Sequence, residues 1–146
     1  MVSSAEGGHT PAPVVYAVLI CDYTIRDGET GKVSVVGIFD QIRAVEFPAF
    51  HPGLFVYVNM ADAEGEYTMG LELLHSGSMK RIGYGEQIVT YSDRLVGAEL
   101  VFDLRGLVFD EPGQYEFRIR ANGRHIGGKP FRLVHLKPES EHEPGR

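Results

Sequence analysis

Positive charge is in short supply. Lys and Arg number 14 against 20 Asp and Glu, a formal net charge of −6. Phosphate binding needs concentrated positive charge, so a general nucleic-acid binder is disfavoured, as is a surface made for anionic lipid. Cysteine is scarcer still. Cys21 stands alone, so no intrachain disulfide can form, and within its apolar run it reads as a small buried hydrophobe. No apolar run approaches the roughly 18–20 residues of a membrane span. Residues 1–13 hold no Lys or Arg, whereas a secretory signal starts basic and then turns apolar. A cytoplasmic chain is expected. Helical periodicity is also missing: no window of about 11 residues repeats its apolar positions at helical spacing. Only Ser92–Gly97 reads as a short helical turn.

What is present is strand composition. Val and Ile total 23 against 9 Ala in a chain of 146 residues, a balance that favours extended backbone. Gln114–Arg120 is the clearest segment. Tyr115, Phe117 and Ile119 alternate with Glu116, Arg118 and Arg120, which puts three apolar side chains on one face and three charges on the other. Asn122-Gly123 follows and predicts a type I′ hairpin, because both central residues of that turn take positive φ. Such a turn sets Ala121 opposite Arg124 and Ile119 opposite Ile126. Past Ile126 the parity breaks. A bulge at Gly127-Gly128 would restore Phe131 and Leu133 to the buried side, and Pro130 suits a sheet edge.

Further strands are expected at Val14–Tyr23 (apolar on both faces, hence central), Lys32–Phe39, Gln41–Phe47 and Leu54–Met60. Others follow at Glu66–His75, Met79–Tyr84 with an extension through Tyr91, and Glu99–Leu104. The pattern predicts an all-β, single-domain, antiparallel β-sandwich of 8–9 strands. The expected limits are a loose leader over 1–12, the sandwich over 13–137 and a loose tail over 138–146. The stretch Glu111-Pro112-Gly113-Gln114-Tyr115-Glu116-Phe117 resembles the tyrosine corner of immunoglobulin-like domains, where a Tyr hydroxyl bonds back to the backbone. An ordinary turn before a core Tyr reads the same way. Phe117 stands where true immunoglobulin domains carry a disulfide Cys, which agrees with a reducing compartment.

Chemistry-bearing patterns are thin. The six His residues form no H-x₃-H pair and no H-E-x-x-H, so no metal site and no cofactor are implied. Gly28-Glu29-Thr30-Gly31-Lys32 lacks the first Gly and the Ser/Thr of a phosphate loop, and reads as a hairpin turn. Gly-x-Ser-x-Gly is absent; Ser76-Gly77-Ser78 is a loop tip. No catalytic residue is assigned. Acids gather in three connections: Asp22, Asp27 and Glu29; Asp62, Glu64 and Glu66; Asp110 and Glu111. Solvated turn acids explain them, with a Ca²⁺-binding loop cluster as the alternative. Asp40 ends an apolar strand, where a carboxylate caps backbone N–H groups. Arg118, Arg120 and Arg124, with Arg132 on the neighbouring strand, form a basic stripe on an outer face. Glu116 among them points to a salt-bridged face; Arg enrichment also makes it the best local candidate for an interaction surface.

The order and spacing of Cys21-Asp22, Gly31-Lys32, Val36-Gly37-Ile38-Phe39-Asp40, Phe47-Pro48, Gly65-Glu66-Tyr67, Pro112-Gly113-Gln114-Tyr115-Glu116-Phe117, Asn122-Gly123 and Pro130-Phe131 resemble a family of small bacterial proteins. That family is known only as a domain of unknown function. The resemblance spans about Val14–Leu136 and implies a bacterial all-β protein, with no activity, cofactor or catalytic residue attached. The expected role is a non-catalytic binding or scaffolding module, not an enzyme. Its candidate binding residues are Arg118, Arg120, Arg124, Arg132, Asp22 and Asp40. The partner is a protein, or a second copy joined through an edge strand; nucleic acid and membrane are not expected. One alternative is a small-ligand or Ca²⁺ binder using the acidic loops. Another is an enzyme of unfamiliar type in which Asp22, Asp40 and a His such as His51 converge in a pocket.

Overall fold

A computed structural model describes residues 10–137. Among these residues the chain forms nine strands and no helix. They are β1 (Val14–Arg26), β2 (Val33–Ile38), β3 (Gln41–Ala44), β4 (Ala49–Ala61), β5 (Gly65–His75), β6 (Lys80–Tyr91), β7 (Ala98–Phe109), β8 (Gly113–Ala121) and β9 (Arg124–His135). Two sheets result, ordered β2-β1-β4-β7 and β3-β9-β8-β5-β6. This is the all-β sandwich that the alternation predicts. One pairing departs from it: β3 runs parallel to β9. The chain leaves β2 and enters β3 through Phe39-Asp40 without a hairpin, so it changes sheet instead of turning back on its own. No helix among the described residues is long and apolar enough to cross a membrane.

Period two places the core. Leu54, Val56, Val58 and Met60 of β4 point inward from the first sheet, and Tyr67, Met69, Leu71 and Leu73 of β5 point inward from the second; all are buried. From β8, Tyr115, Phe117 and Ile119 complete the inner layer. An aromatic wedge joins the sheets at one end. Phe117 stacks on Phe131 at 5.0 Å between ring centroids, and Phe109 meets Tyr115 edge-on at 5.1 Å. The two sheets interdigitate there as sandwich layers do.

Tyr115 forms the expected corner, its hydroxyl donating to the Glu111 carbonyl at 2.6 Å. Tyr67 makes a second tie at the other end. Its hydroxyl donates to the Pro11 carbonyl at 2.6 Å and accepts the Glu64 N–H at 3.0 Å. Pro11 belongs to the stretch read as a leader. The rest of that stretch through His9, and the tail expected over 138–146, lie outside the described residues.

The last hairpin follows its dipeptide. Ala121 pairs with Arg124, and Asn122 and Gly123 take φ of 52° and 83°. Asn122 also bonds β5, accepting the Thr68 N–H on its side-chain oxygen at 2.9 Å. The bulge lies one residue earlier than expected. Arg120 pairs with His125 and Ile119 with Gly127, so Ile126 is the extra residue. Gly127 stays in register because Val15 of β1 packs onto it: a Cβ there would stand 3.2 Å from the Val15 side chain. Phe131 and Leu133 return inside as predicted. Arg132 donates its N–H to Asp40 of the β3 side at 3.0 Å. Pro130, two residues earlier, would aim its missing donor at the same side, beyond the reach of β3.

Ser92–Gly97 holds one hydrogen-bonded turn and no helix. The Asp93 carbonyl accepts from Val96 at 3.1 Å, and its carboxylate accepts the Leu95 N–H at 2.9 Å. A single Asx-type turn needs no helical period around it.

The corner and the wedge separate in a mutational test. Tyr115→Phe removes one hydrogen bond and is expected to cost about 1 kcal/mol, whereas Tyr115→Ala is expected to cost about 3–5 kcal/mol through the emptied core. Urea unfolding of both variants measures this; a Tyr115→Phe protein as stable as wild type would remove the corner as a distinct contribution.

Candidate functional site

Two of the basic stripe's four arginines are ion-paired. Arg118 pairs with Glu116 at 3.0 Å, on its own strand. Arg120 reaches across to Glu72 of β5 at 3.2 Å, and Arg81 of β6 holds the same carboxylate at 2.8 Å. Glu72 is 6% exposed although it faces outward, because the two guanidinium groups and the Tyr84 ring under Arg81 cover it. Burial pushes its carboxyl up, but the hydrogen bonds and charges of Arg81 and Arg120 together outweigh burial and hold it below the ordinary range. Arg124 and Arg132 are exposed, and among the described residues neither side chain has a polar partner. The face is thus a closed ion-pair network flanked by two free arginines.

Asp22 and His51 share a shallow cleft of about 440 Å³ with Phe39, Gln41 and Arg43. Asp40 is not among its walls. The cleft forms where β2 hands the chain to β3. Asp22 lies over Gly37, whose φ is 73° and where a Cβ would stand 2.3 Å from the carboxylate; only glycine fits both demands. Burial pushes the His51 imidazole down, with Asp22 and a backbone hydrogen bond at Gly53 pulling partly back. Its Nε2 is buried without a hydrogen-bond partner among the described residues. The adjacent thiol does not join them. Cys21 pairs with Phe55 and faces the outer side of the sheet, opposite to Asp22. Burial raises its pKa, so it is held as the thiol.

Asp40 acts through its backbone instead of its carboxylate: its carbonyl accepts the Arg132 N–H, and no hydrogen bond to its side chain occurs among the described residues. The crossing between sheets needs that carbonyl in the ladder with β9, so the expected cap is not made. Asp27 is the acid that caps. Its carboxylate accepts the N–H groups of Glu29 at 3.1 Å and Thr30 at 2.6 Å, and these bonds hold it below its usual range. No group of three His, Cys, Asp or Glu with metal-holding geometry occurs among the described residues. Ser78 sits in the β5–β6 turn, its hydroxyl 3.1 Å from Nδ1 of His75, and Nε2 of that ring lies 3.6 Å from Glu111. These bonds order the turn.

The feature that residue-by-residue reading did not assign is the outer face of the first sheet. The ladder sets Ile25 beside Ser34, Tyr23 beside Val36, and Cys21 between Ile38 and Phe55. It then sets Leu19 beside Tyr57, which pairs in turn with Val101. Every one of these faces away from the core. Tyr23, Ile25 and Ile38 are 46%, 52% and 60% exposed. The signal was present: Val14–Tyr23 is apolar on both faces, yet only one face has a sheet to cover it.

Residues 16–134 match a family model whose description is "Family of unknown function (DUF6941)". The chain belongs to that family. No curated protein matches it in sequence. Among solved structures it is similar to the alkylpurine DNA glycosylase AlkC of Pseudomonas fluorescens bound to DNA with an abasic-site analogue, at 10% identity and a TM-score of 0.48. That likeness covers 80% of this chain and 30% of the glycosylase. A β-glucosidase from Listeria innocua in complex with isofagomine is similar at 10% identity and a TM-score of 0.42, over 67% of this chain and 15% of that one. An immunoglobulin-like protein from Pseudomonas aeruginosa is similar at 12% identity and a TM-score of 0.39, over 86% of this chain and 99% of its own. The chain therefore spans less than a third of either enzyme.

Glu72→Gln tests the ion-pair network. A carboxyl held below its ordinary pKa adds stability that is present above the unfolded value, about 4.3, and lost as pH falls through the lower folded value. Wild type is expected to lose stability more steeply than Glu72→Gln as pH drops from 6 to 3. Parallel urea midpoints across that range would show that the network does not hold the charge.

Proposed function

We propose that the protein is a non-catalytic protein-binding module, working in the bacterial cytoplasm, that docks through the outer face of the β2-β1-β4-β7 sheet. One observation carries the reading. The outward side chains of β1 from Leu19 to Ile25 are Leu19, Cys21, Tyr23 and Ile25, without a polar residue among them. A strand apolar on both sides belongs between two layers. A monomer of this fold supplies only one, and large exposed apolar patches mark interaction surfaces. On the opposite outer face Glu72 pairs with Arg81 and Arg120 and Glu116 with Arg118, and its exposed apolar side chains, Tyr84 and Ile88, stand on either side of Glu86 on β6 and form no continuous row.

An edge-strand contact has less support. On the free edge of β7, the Val101 carbonyl accepts the Gln87 side chain at 3.0 Å and the Glu99 carbonyl accepts the Tyr91 hydroxyl at 3.0 Å. Two of the groups that a strand addition would use are already taken.

The test is site-specific photocross-linking in the native host. A benzophenone side chain at Ile25 is expected to capture a protein, and the same group at Arg118 is expected to capture none. The Ile25 adduct should disappear when Ile38→Asp is added, with melting temperature unchanged. Cross-links confined to Arg118 would overturn the choice of face.

A further inference from the structure

We infer that the occupant of this face is a second copy of the chain, packed sheet on sheet about a two-fold axis. The inference rests on the docking reading above and names its partner.

Charge placement is the first argument. A two-fold contact brings a patch against itself, so any unpaired charge near its centre would meet its own kind. The four central rows of this face hold Ile25, Tyr23, Val36, Ile38, Cys21, Phe55, Leu19, Tyr57 and Val101, with Ser34 as a polar but uncharged member. Charges enter these rows at their β7 ends, at Asp103 beside Phe55 and Arg105 beside Gly53, and Arg26, which donates to the Gly31 carbonyl, lies at the strand end. Asp103 is bound by Arg105 at 2.6 Å. Glu99 is bound by the Tyr57 hydroxyl. The chain's excess acid lies in turns at the sheet ends, at Asp27, Glu29, Asp62, Glu64, Asp110 and Glu111. Glu99 keeps its charge, since a hydroxyl is neutral, but it stands at the β7 margin; a patch whose centre carries no charge has little with which to select a foreign partner and can meet its own copy there without repulsion.

Size is the second argument. The strands are staggered, β2 flanking β1 only over Val33–Ile38 and β1 pairing with β4 only over Val14–Cys21. With about 4.8 Å between strands and about 6.7 Å between outward residues along each, the face including its β7 side covers on the order of 500 Å² in flat projection. A standard interface takes about 800 Å² of accessible surface from each partner, and side-chain relief makes accessible surface larger than its projection. The face is large enough for a dimer and too small for much more.

Shape is the third. Stacked sheets pack when their twists match, and a second copy presents a sheet of identical twist. Tyr23 and Ile38, exposed side by side on neighbouring strands, supply the large side chains that dominate such contacts.

Sedimentation velocity of the full chain from about 1 to 500 μM reads the association directly. Wild type is expected to form a dimer. Tyr23→Asp and Ile38→Asp are each expected to weaken it by at least about 30-fold, with unchanged far-UV circular dichroism. Arg132→Glu, on the opposite sheet, is expected to leave it intact. A wild-type monomer at every concentration would overturn the second copy, and photocapture of a different protein at Ile25 would then leave the docking face standing. A dimer that survives both aspartates, or that Arg132→Glu dissolves, would overturn the face itself.

Discussion

The aromatic wedge of Phe109, Tyr115, Phe117 and Phe131 is the contact on which the other features depend. It locks β8 and β9 of one sheet against the end of β7 in the other, and the Tyr115 hydroxyl fixes the arch between them through Glu111. With that end pinned, the second sheet can cover only the inner side of the first. Strand β1 supplies Val15, Val18 and Ile20 to the covered side. Its outer side keeps Leu19, Tyr23 and Ile25 with no layer over them. The uncovered apolar face is thus a consequence of where the core closes.

Local signals were legible and non-local ones were not. The Asn122-Gly123 turn could be read because type I′ geometry is written in two adjacent residues. The Tyr115 corner could be read because hydroxyl and carbonyl are four residues apart. The bulge came out one residue early because Val15, over a hundred positions away in the chain, presses on Gly127. The Arg stripe was read with correct parity: Arg118 and Arg120 do point outward. Its neutralisation by Glu72 depends on β5 lying beside β8 and β6, which no spacing in the chain reveals.

The candidate acids divide for the same reason. Asp22 and His51 meet at one cleft because β1 and β4 are neighbours and Gly37 leaves room above the strand. Asp40 stands between two wall residues of that cleft, Phe39 and Gln41, yet is not itself a wall, and its carbonyl is drawn into the ladder with β9. Sequence showed an acid after an apolar run; it could not show that the run ends at a change of sheet. Likewise the double-faced apolarity of Val14–Tyr23 reads as a central strand, which it is. Whether a second layer covers its far side is a property of the assembly, and a single chain's pattern does not encode it.

The two outer faces differ in a way that bears on how far association can go. A sandwich with apolar patches on both outer faces would stack without end, since each added copy would expose a new sticky surface. Here the second sheet is sealed by Arg81, Glu72 and Arg120, with Arg118 and Glu116 beside them. Stripping water from that network would cost more than its pairs return. In the proposed dimer, joining two copies through the first sheet would bury the apolar rows and leave the charged faces on both outsides. Such an assembly would close at two, with the charges of the binding stripe keeping that side in water.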